Sequence, residues 1–306
     1  MRRAFISVTL LATLATGITA AWSRPPEPRR LEPTSKWVLD YANERCTLLR
    51  NFGQGDKAVL LRMDSFGSRG NFRVTLSGKD VPRSSTPDSR GSFYFPGDRD
   101  SREARMLHGT LGKDQVPAVS FNLDFWPKPA PSDAQIEKLS PDKRALIGAA
   151  IETPHPEFER TVDFIGVTFG QGLRIELHTG SMGEPLAAMR TCIDDLYKSW
   201  GVDPAQQKAL SALAVPLPKT VKHVQNEYPL HQLASGANAY VPVRLMVDAS
   251  GQATSCVVQS ADVDADFKHA VCANLQGSFK PALDGDGKPV PSMFHTAVIY
   301  LVNGWR

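Results

Sequence analysis

The chain of 306 residues has only four cysteines, and no two of them stand in a CxxC pair. A thioredoxin-type redox centre or a zinc ribbon needs that spacing, so neither is expected. GxSxG elbows, GxxxxGK[ST] phosphate loops and HExxH pairs are also missing, which leaves the common hydrolase, nucleotide and zinc-protease signatures unfilled. Charge of one sign is scarce: the formal charge is +3. The only basic cluster is Arg24, Arg29 and Arg30 among prolines, and no nucleic-acid partner is expected from it. Beyond residue 21 no apolar run reaches the ~20 residues that a membrane-spanning helix needs. The remainder, 42% hydrophobic and 22% charged, has the balance of a folded globular protein, and its length suits two domains of ~100–200 residues each.

What is present begins with an export pattern. Met1-Arg2-Arg3 is a basic start, Ala4 to Ala21 is uncharged and apolar or small, and Thr19-Ala20-Ala21 offers small residues for cleavage. A cleaved signal peptide over residues 1–21 is the preferred reading, and an inner-membrane anchor over residues 4–21 is the alternative. Either places the rest of the chain in the periplasm, where disulfides persist. Four cysteines allow three pairings, and four buried thiols are a further possibility. Cys46–Cys192 with Cys256–Cys272 is the pairing that keeps each bond within one of the domains proposed next.

Residues 22–36 read as a flexible, Pro- and Arg-rich leader. Residues 37–201 read as a mostly-β domain, with strand-like runs at Trp37–Ala42, Cys46–Phe52, Ala58–Met63, Phe72–Leu76, Ala118–Phe125, Phe164–Phe169 and Leu173–Leu177. Val119, Phe121, Leu123 and Phe125 alternate with polar neighbours, as a half-buried strand requires. Asp80–Arg105, rich in Ser, Arg, Asp and Pro, reads as an exposed insertion. Residues 132–151 read as two short helices divided at Pro141. Glu184–Trp200 reads as an amphipathic helix carrying Leu186, Met189, Ile193, Leu196 and Trp200 on one face, with Cys192 at the edge of that stripe. Residues 202–220 are expected to be a helical linker.

Residues 221–306 change pattern. Val241, Val243, Leu245 and Val247 alternate as a strand, Asp248–Gly251 makes a turn, and Thr254–Gln259 returns. Asp262 or Asp264 caps a helix bearing Phe267, Val271 and Leu275. In the last strand Phe294, Thr296, Val298, Tyr300 and Val302 share one face, and His295, Ala297, Ile299 and Leu301 share the other. The fold class expected for the whole is α+β, a mostly-β domain followed by a small ββαβ domain.

Tyr228-Pro229, the Val-x-Val-x-Leu-x-Val strand ending at Asp248-x-x-Gly251, and Val257-Val258-Gln259-Ser260 stand in a set order. The Phe267-to-Leu275 helix, Phe279-Lys280-Pro281-Ala282, Gly287-Lys288-Pro289-Val290 and the closing apolar strand complete it. Together these segments resemble the TonB C-terminal domain family. The resemblance implies a module that pairs a sheet edge with a segment of an outer-membrane transporter, by strand addition. Carried onto this chain, the docking edge is Phe294, His295, Thr296, Ala297, Val298, Ile299, Tyr300, Leu301 and Val302. It also implies that Cys256 and Cys272 join the second strand to the helix. Force transduction is not implied: the apolar segment has no histidine, and a folded domain stands where a transducer has a long Pro-rich spacer. Trp37–Ala42, Cys46-x-x-x-Arg50-x-Phe52-Gly53 and Cys192-x-Asp194-Asp195-Leu196-x-x-x-Trp200-Gly201 look like a domain found ahead of TonB-like domains, which brings no activity with it.

Catalytic residues, metal and cofactor are not expected. Gly53-Gln54-Gly55 lacks the third glycine of a dinucleotide fingerprint and reads as a turn. His155, His223, His231, His269 and His295 read as surface or hydrogen-bonded residues, and Asp194-Asp195 as a solvated helix face. The alternative is a small-ligand binder or enzyme housed in the first domain, with the TonB-like part as a docking unit.

Overall fold

The structure, a computed structural model, describes residues 27–302 apart from Arg99, Pro129, Ala130, Ser132, Glu137 and Gln171. The export segment therefore lies outside the described residues. So does Ser132, the first residue of the stretch read as two short helices.

Ten strands form one curled sheet: β1 (Arg29–Leu31), β2 (Val38–Ala42), β3 (Arg45–Phe52), β4 (Val59–Ser65), β5 (Asn71–Ser77), β6 (Asp88–Tyr94), β7 (Arg102–Leu111), β8 (Val116–Asp124), β9 (Ile165–Thr168) and β10 (Arg174–Leu177). Their spatial order is β1-β10-β9-β6-β7-β8-β5-β4-β3-β2, antiparallel except for β1 on β10. One stretch of chain links β10, at one side of the sheet, to β3, the strand next to the opposite edge. Arg29–Leu31 pairs with β10, then Pro33 bridges Phe52 and the Thr34 amide donates to the Asn51 carbonyl on β3. These residues are thus part of the sheet and not a flexible leader. Leu31, only 4% exposed, anchors them in the core.

The alternation read in β8 is realised, with Val119, Phe121 and Leu123 fully buried. The expected insertion is not. Residues 80–105 contribute β6 and the start of β7, which lie in the middle of the sheet, and bury Phe93, Phe95 and Arg102. Gly91 serves packing on β6: the Met106 thioether occupies the space a Cβ would need.

Four helices follow or interrupt the strands: α1 (Asp133–Ile136), α2 (Pro141–Glu152), α3 (Pro156–Thr161) and α4 (Gly183–Ser199). Ser140 caps α2 and Pro141 occupies its first turn, where a missing N–H costs nothing. In α4 the side chains of Leu186, Met189, Ile193 and Leu196 are buried against the sheet, and Cys192 is bonded to Cys46 on β3.

The chain continues through α5 (Pro204–Lys208), β11 (Val215–Pro216), α6 (Pro218–Asn226) and α7 (Leu230–Ala234). Then come β12 (Ala239–Val247), β13 (Ala253–Val258), α8 (Ala265–Leu275), β14 (Phe279–Lys280), β15 (Ala282–Leu283), β16 (Pro289–Val290) and β17 (Ser292–Tyr300). The segment after α5 is tied down: Val215–Pro216 pairs with Phe279–Lys280, and Ala212 pairs with Leu283. A three-stranded sheet, β13-β12-β17, carries α8 on one face. Phe267, Val271 and Leu275 pack there on Val241, Val243, Leu245 and Val247, and Cys256–Cys272 links β13 to α8.

The other face of this small sheet lies on the first lobe. Tyr240 sits against Phe66 and beneath the Arg73 guanidinium, 4.3 Å from its ring centre. Arg244, 7% exposed, stacks on Trp200 at 4.3 Å and reaches Glu44 at 3.3 Å. Met293 joins the core of the first lobe, its methyl beside Gly67, where a Cβ would come within 3.1 Å. The architecture is mixed and strand-rich, and helix and lobe enclose both faces of the small sheet.

Candidate functional site

With both faces covered, the exposed chemistry of the small sheet is its backbone edge. β17 pairs with β12 throughout, from Ser292↔Val247 to Tyr300↔Ala239, and among the described residues no strand lies on its other side. In an antiparallel strand the N–H and C=O of one residue point the same way, and successive residues alternate. Two contacts fix the phase. The Gln207 side-chain amide donates to the Met293 carbonyl (3.3 Å), and its Oε1 accepts from the Met293 N–H (3.2 Å), so Met293 faces away from β12. On β12, the Pro242 carbonyl accepts from Gln259 on the β13 side, at 2.9 Å. His295, Ala297 and Ile299 therefore also direct their backbone groups outward, while Phe294, Thr296 and Val298 bond to β12. Among the described residues nothing pairs with the outward groups of His295, Ala297 and Ile299.

Side chains follow the other alternation. Phe294, Val298 and Tyr300 pack on the α8 core, and Thr296 shares their face. His295, Ala297 and Ile299 share the face that meets the first lobe. Leu301 and Val302 lie past the strand, and the Val302 amide donates to Asn238 Oδ1 at 2.7 Å. Gln207 imitates a strand at the start of the edge, and Gln206 Nε2 donates to the Pro291 carbonyl at 3.0 Å. No pattern in the sequence pointed to either glutamine, because their partners lie roughly 85 residues away.

Beside the edge is a partly buried carboxylate. Glu152, at the end of α2, accepts from the Ser68 hydroxyl (2.6 Å) and the Arg69 amide (2.5 Å), and His295 Nε2 lies 3.5 Å from it. Burial pushes this carboxyl up, but the His295, Ser68 and Arg69 contacts outweigh burial and hold it below the ordinary glutamate value. A depressed folded pKa contributes stability that is complete above about pH 4.5 and is lost as the pH falls through the lower folded value. Glu152→Gln is accordingly expected to cost about 1–3 kcal/mol at pH 7. Urea titrations should show the gap to the parent chain narrowing as the medium is acidified towards pH 3. An equal gap at both ends would show that the charge is not what matters.

The remaining titratable residues are dispersed. His231 is largely exposed, 3.5 Å from Asp266, and with His269 lines an open cavity of about 340 Å³. Asp194 is not a free solvated group: it bridges Arg69 and Lys208. His155 precedes α3, its ring near Trp126. Gly53 and Gly55 both adopt positive φ, and only a single 3-10 turn follows them. Among the described residues no group of three His, Cys, Asp or Glu side chains could hold a metal ion, and no helix is long and apolar enough to cross a membrane. A second cavity, of about 630 Å³, lies between the β2–β3 turn and β13. No family model, curated protein or solved structure matches the chain.

Proposed function

We propose that this is a periplasmic interaction protein that captures an extended segment of a cell-envelope partner on the edge of β17. The mode is strand addition, as in the TonB C-terminal domains that its last residues resemble, and an outer-membrane transporter is the partner class that the resemblance implies. The observation that carries the reading is the outward, unpaired backbone of His295, Ala297 and Ile299 beside an edge that Gln207 closes at Met293. Edge strands left open in this way are templates for an added strand. Two disulfides fit an oxidising compartment. Neither described cavity lies within the curl of the large sheet, where Phe52, Phe72, Phe93, Phe95 and Phe121 fill the space.

The phase of the strand selects the test. Proline at Val298 would remove a donor to β12 and damage the sheet itself. Proline at Ala297 removes only an outward donor, which an edge strand tolerates. Ala297→Pro should keep the circular dichroism and melting temperature of the parent. In a pull-down from an envelope extract it should lose the transporter that the parent retains, by roughly tenfold or more for two disrupted backbone pairings. Capture of no envelope protein by the parent, or equal capture by both chains, would overturn the reading.

A further inference from the structure

The small sheet has a second edge, and it opens into the 630 Å³ cavity. On β13 the phase follows from the Gln259 amide, which donates to the Pro242 carbonyl. Val257 and Ser255 then bond to β12, and the backbone groups of Cys256 and Val258 point outward, up to the bulge at Thr254. Cys256 and Val258 line the cavity. One wall is α8, with Cys272 and Lys268. The other is the β2–β3 turn, Ala42 to Arg45.

Two features distinguish this cleft from a bare edge. Gln259 is 2% exposed, and its Nε2 is spent on the Glu44 and Phe66 carbonyls (3.2 and 3.0 Å), yet its Oε1 has no partner. A buried amide oxygen left without a donor is costly, and a ligand N–H would remove that cost. The second feature is charge. Arg45 Nε makes no hydrogen bond and is 3.9 Å from Asp64, a carboxylate already held by Arg62 at 2.7 Å and Thr47 at 2.6 Å. Among the described residues Lys268 bonds to the Ala261 carbonyl alone, at 2.9 Å. The acidic residue of the lining, Glu44, is engaged by Arg244. The cleft thus offers Lys268, with no carboxylate partner among the described residues, Arg45, whose one carboxylate at 3.9 Å is held more closely by Arg62, a buried acceptor and an unpaired strand edge.

We propose that this cleft is a second binding site, which takes an extended acidic peptide segment of a partner protein. The peptide backbone pairs with Cys256 and Val258, a peptide N–H meets Gln259 Oε1, and an Asp or Glu side chain or terminal carboxylate lies between Arg45 and Lys268. About three residues at ~3.3 Å each span the edge from Cys256 to Val258. The site is independent of β17, on the opposite edge of the same sheet.

The test is selection of a phage-displayed random heptapeptide library on the full chain with both disulfides intact. Enriched sequences should carry Asp or Glu, and the best synthetic peptide should bind in fluorescence polarisation. Arg45→Gln combined with Lys268→Gln should weaken that peptide roughly tenfold or more, as should Val258→Pro, which deletes one outward donor. Ala297→Pro should leave it unchanged. A peptide pool without acidic bias, or affinity unaltered by the Arg45 and Lys268 replacements, would overturn the proposal. So would affinity lost in Ala297→Pro but kept in Val258→Pro, which would move the peptide to β17. If Val258→Pro does not fold, the surface replacements of Arg45 and Lys268 still decide.

Discussion

Replacing Cys46 and Cys192 together with alanine is expected to lower the unfolding free energy by about 5 kcal/mol, the chain-entropy value for a loop of this length. The two residues are 146 apart in sequence, and both are fully buried. The bond fastens α4 to β3, and that position matters as much as the loop. Tyr197 on α4 donates to the Gly67 carbonyl, and Trp200, just past its end, underlies Arg244 of the second lobe. Loosening α4 therefore loosens the support of the small sheet as well. The Cys256–Cys272 bond closes a loop only 16 residues long, and the matching alanine replacement should cost about 3 kcal/mol. Guanidinium titrations of the two double variants would decide: a smaller loss for the Cys46 pair than for the Cys256 pair would mean that loop entropy does not govern either bond. Burial also means that the first bond should resist mild reductant until the protein is partly unfolded, whereas Cys256, beside the peptide cleft, is half-exposed.

Local patterns were legible where one residue's environment depends on its near neighbours. The β8 alternation, the α4 stripe and a cap of α8 at Asp262 or Asp264 each declared themselves within a dozen residues, and the structure has the first two and takes Asp264 for the third. Reading failed where a residue serves a distant partner. Arg29 to Leu31 sit in a Pro- and Arg-rich stretch, yet they close the large sheet because β10, some 145 residues later, supplies the backbone they pair with. Gly91, inside the stretch read as an insertion, leaves room for the Met106 side chain of the adjacent strand. The candidate sites divide the same way. The apolar last strand could be read from its alternation, but which backbone groups face outward depends on Gln207 and Pro242. The peptide cleft joins segments near residues 44 and 258, and no local pattern links them.

The residue most responsible for disguising the centre of the large sheet is Arg102, and its loss should be severe. Arginine in a stretch rich in Ser, Asp and Pro suggests surface, but this side chain is 3% exposed. Its guanidinium meets Asp98 at 3.2 Å, Asp124 at 3.4 Å and the Trp126 carbonyl at 2.7 Å, and lies 4.7 Å from the Phe95 ring centre. Arg102→Met keeps most of the bulk but leaves two nearly buried carboxylates without their cation, a change that costs about 3–5 kcal/mol. Burial already pushes the Asp124 carboxyl above its ordinary value, with Arg102 opposing it. Without Arg102 that opposition is gone, and the folded variant should hold the Asp124 proton to higher pH. A raised folded pKa favours the protonated fold, so the variant's deficit should be smallest below about pH 4, the ordinary aspartate value, and should grow as the pH rises through the folded value. Parent and variant compared by urea titration at pH 4 and pH 7 should therefore differ most at pH 7. Adding Asp124→Asn to Arg102→Met should recover part of the loss there by removing the stranded charge. A deficit independent of pH, or none recovered by the second replacement, would mean that Arg102 stabilises the sheet only through its contact with Phe95 and its volume.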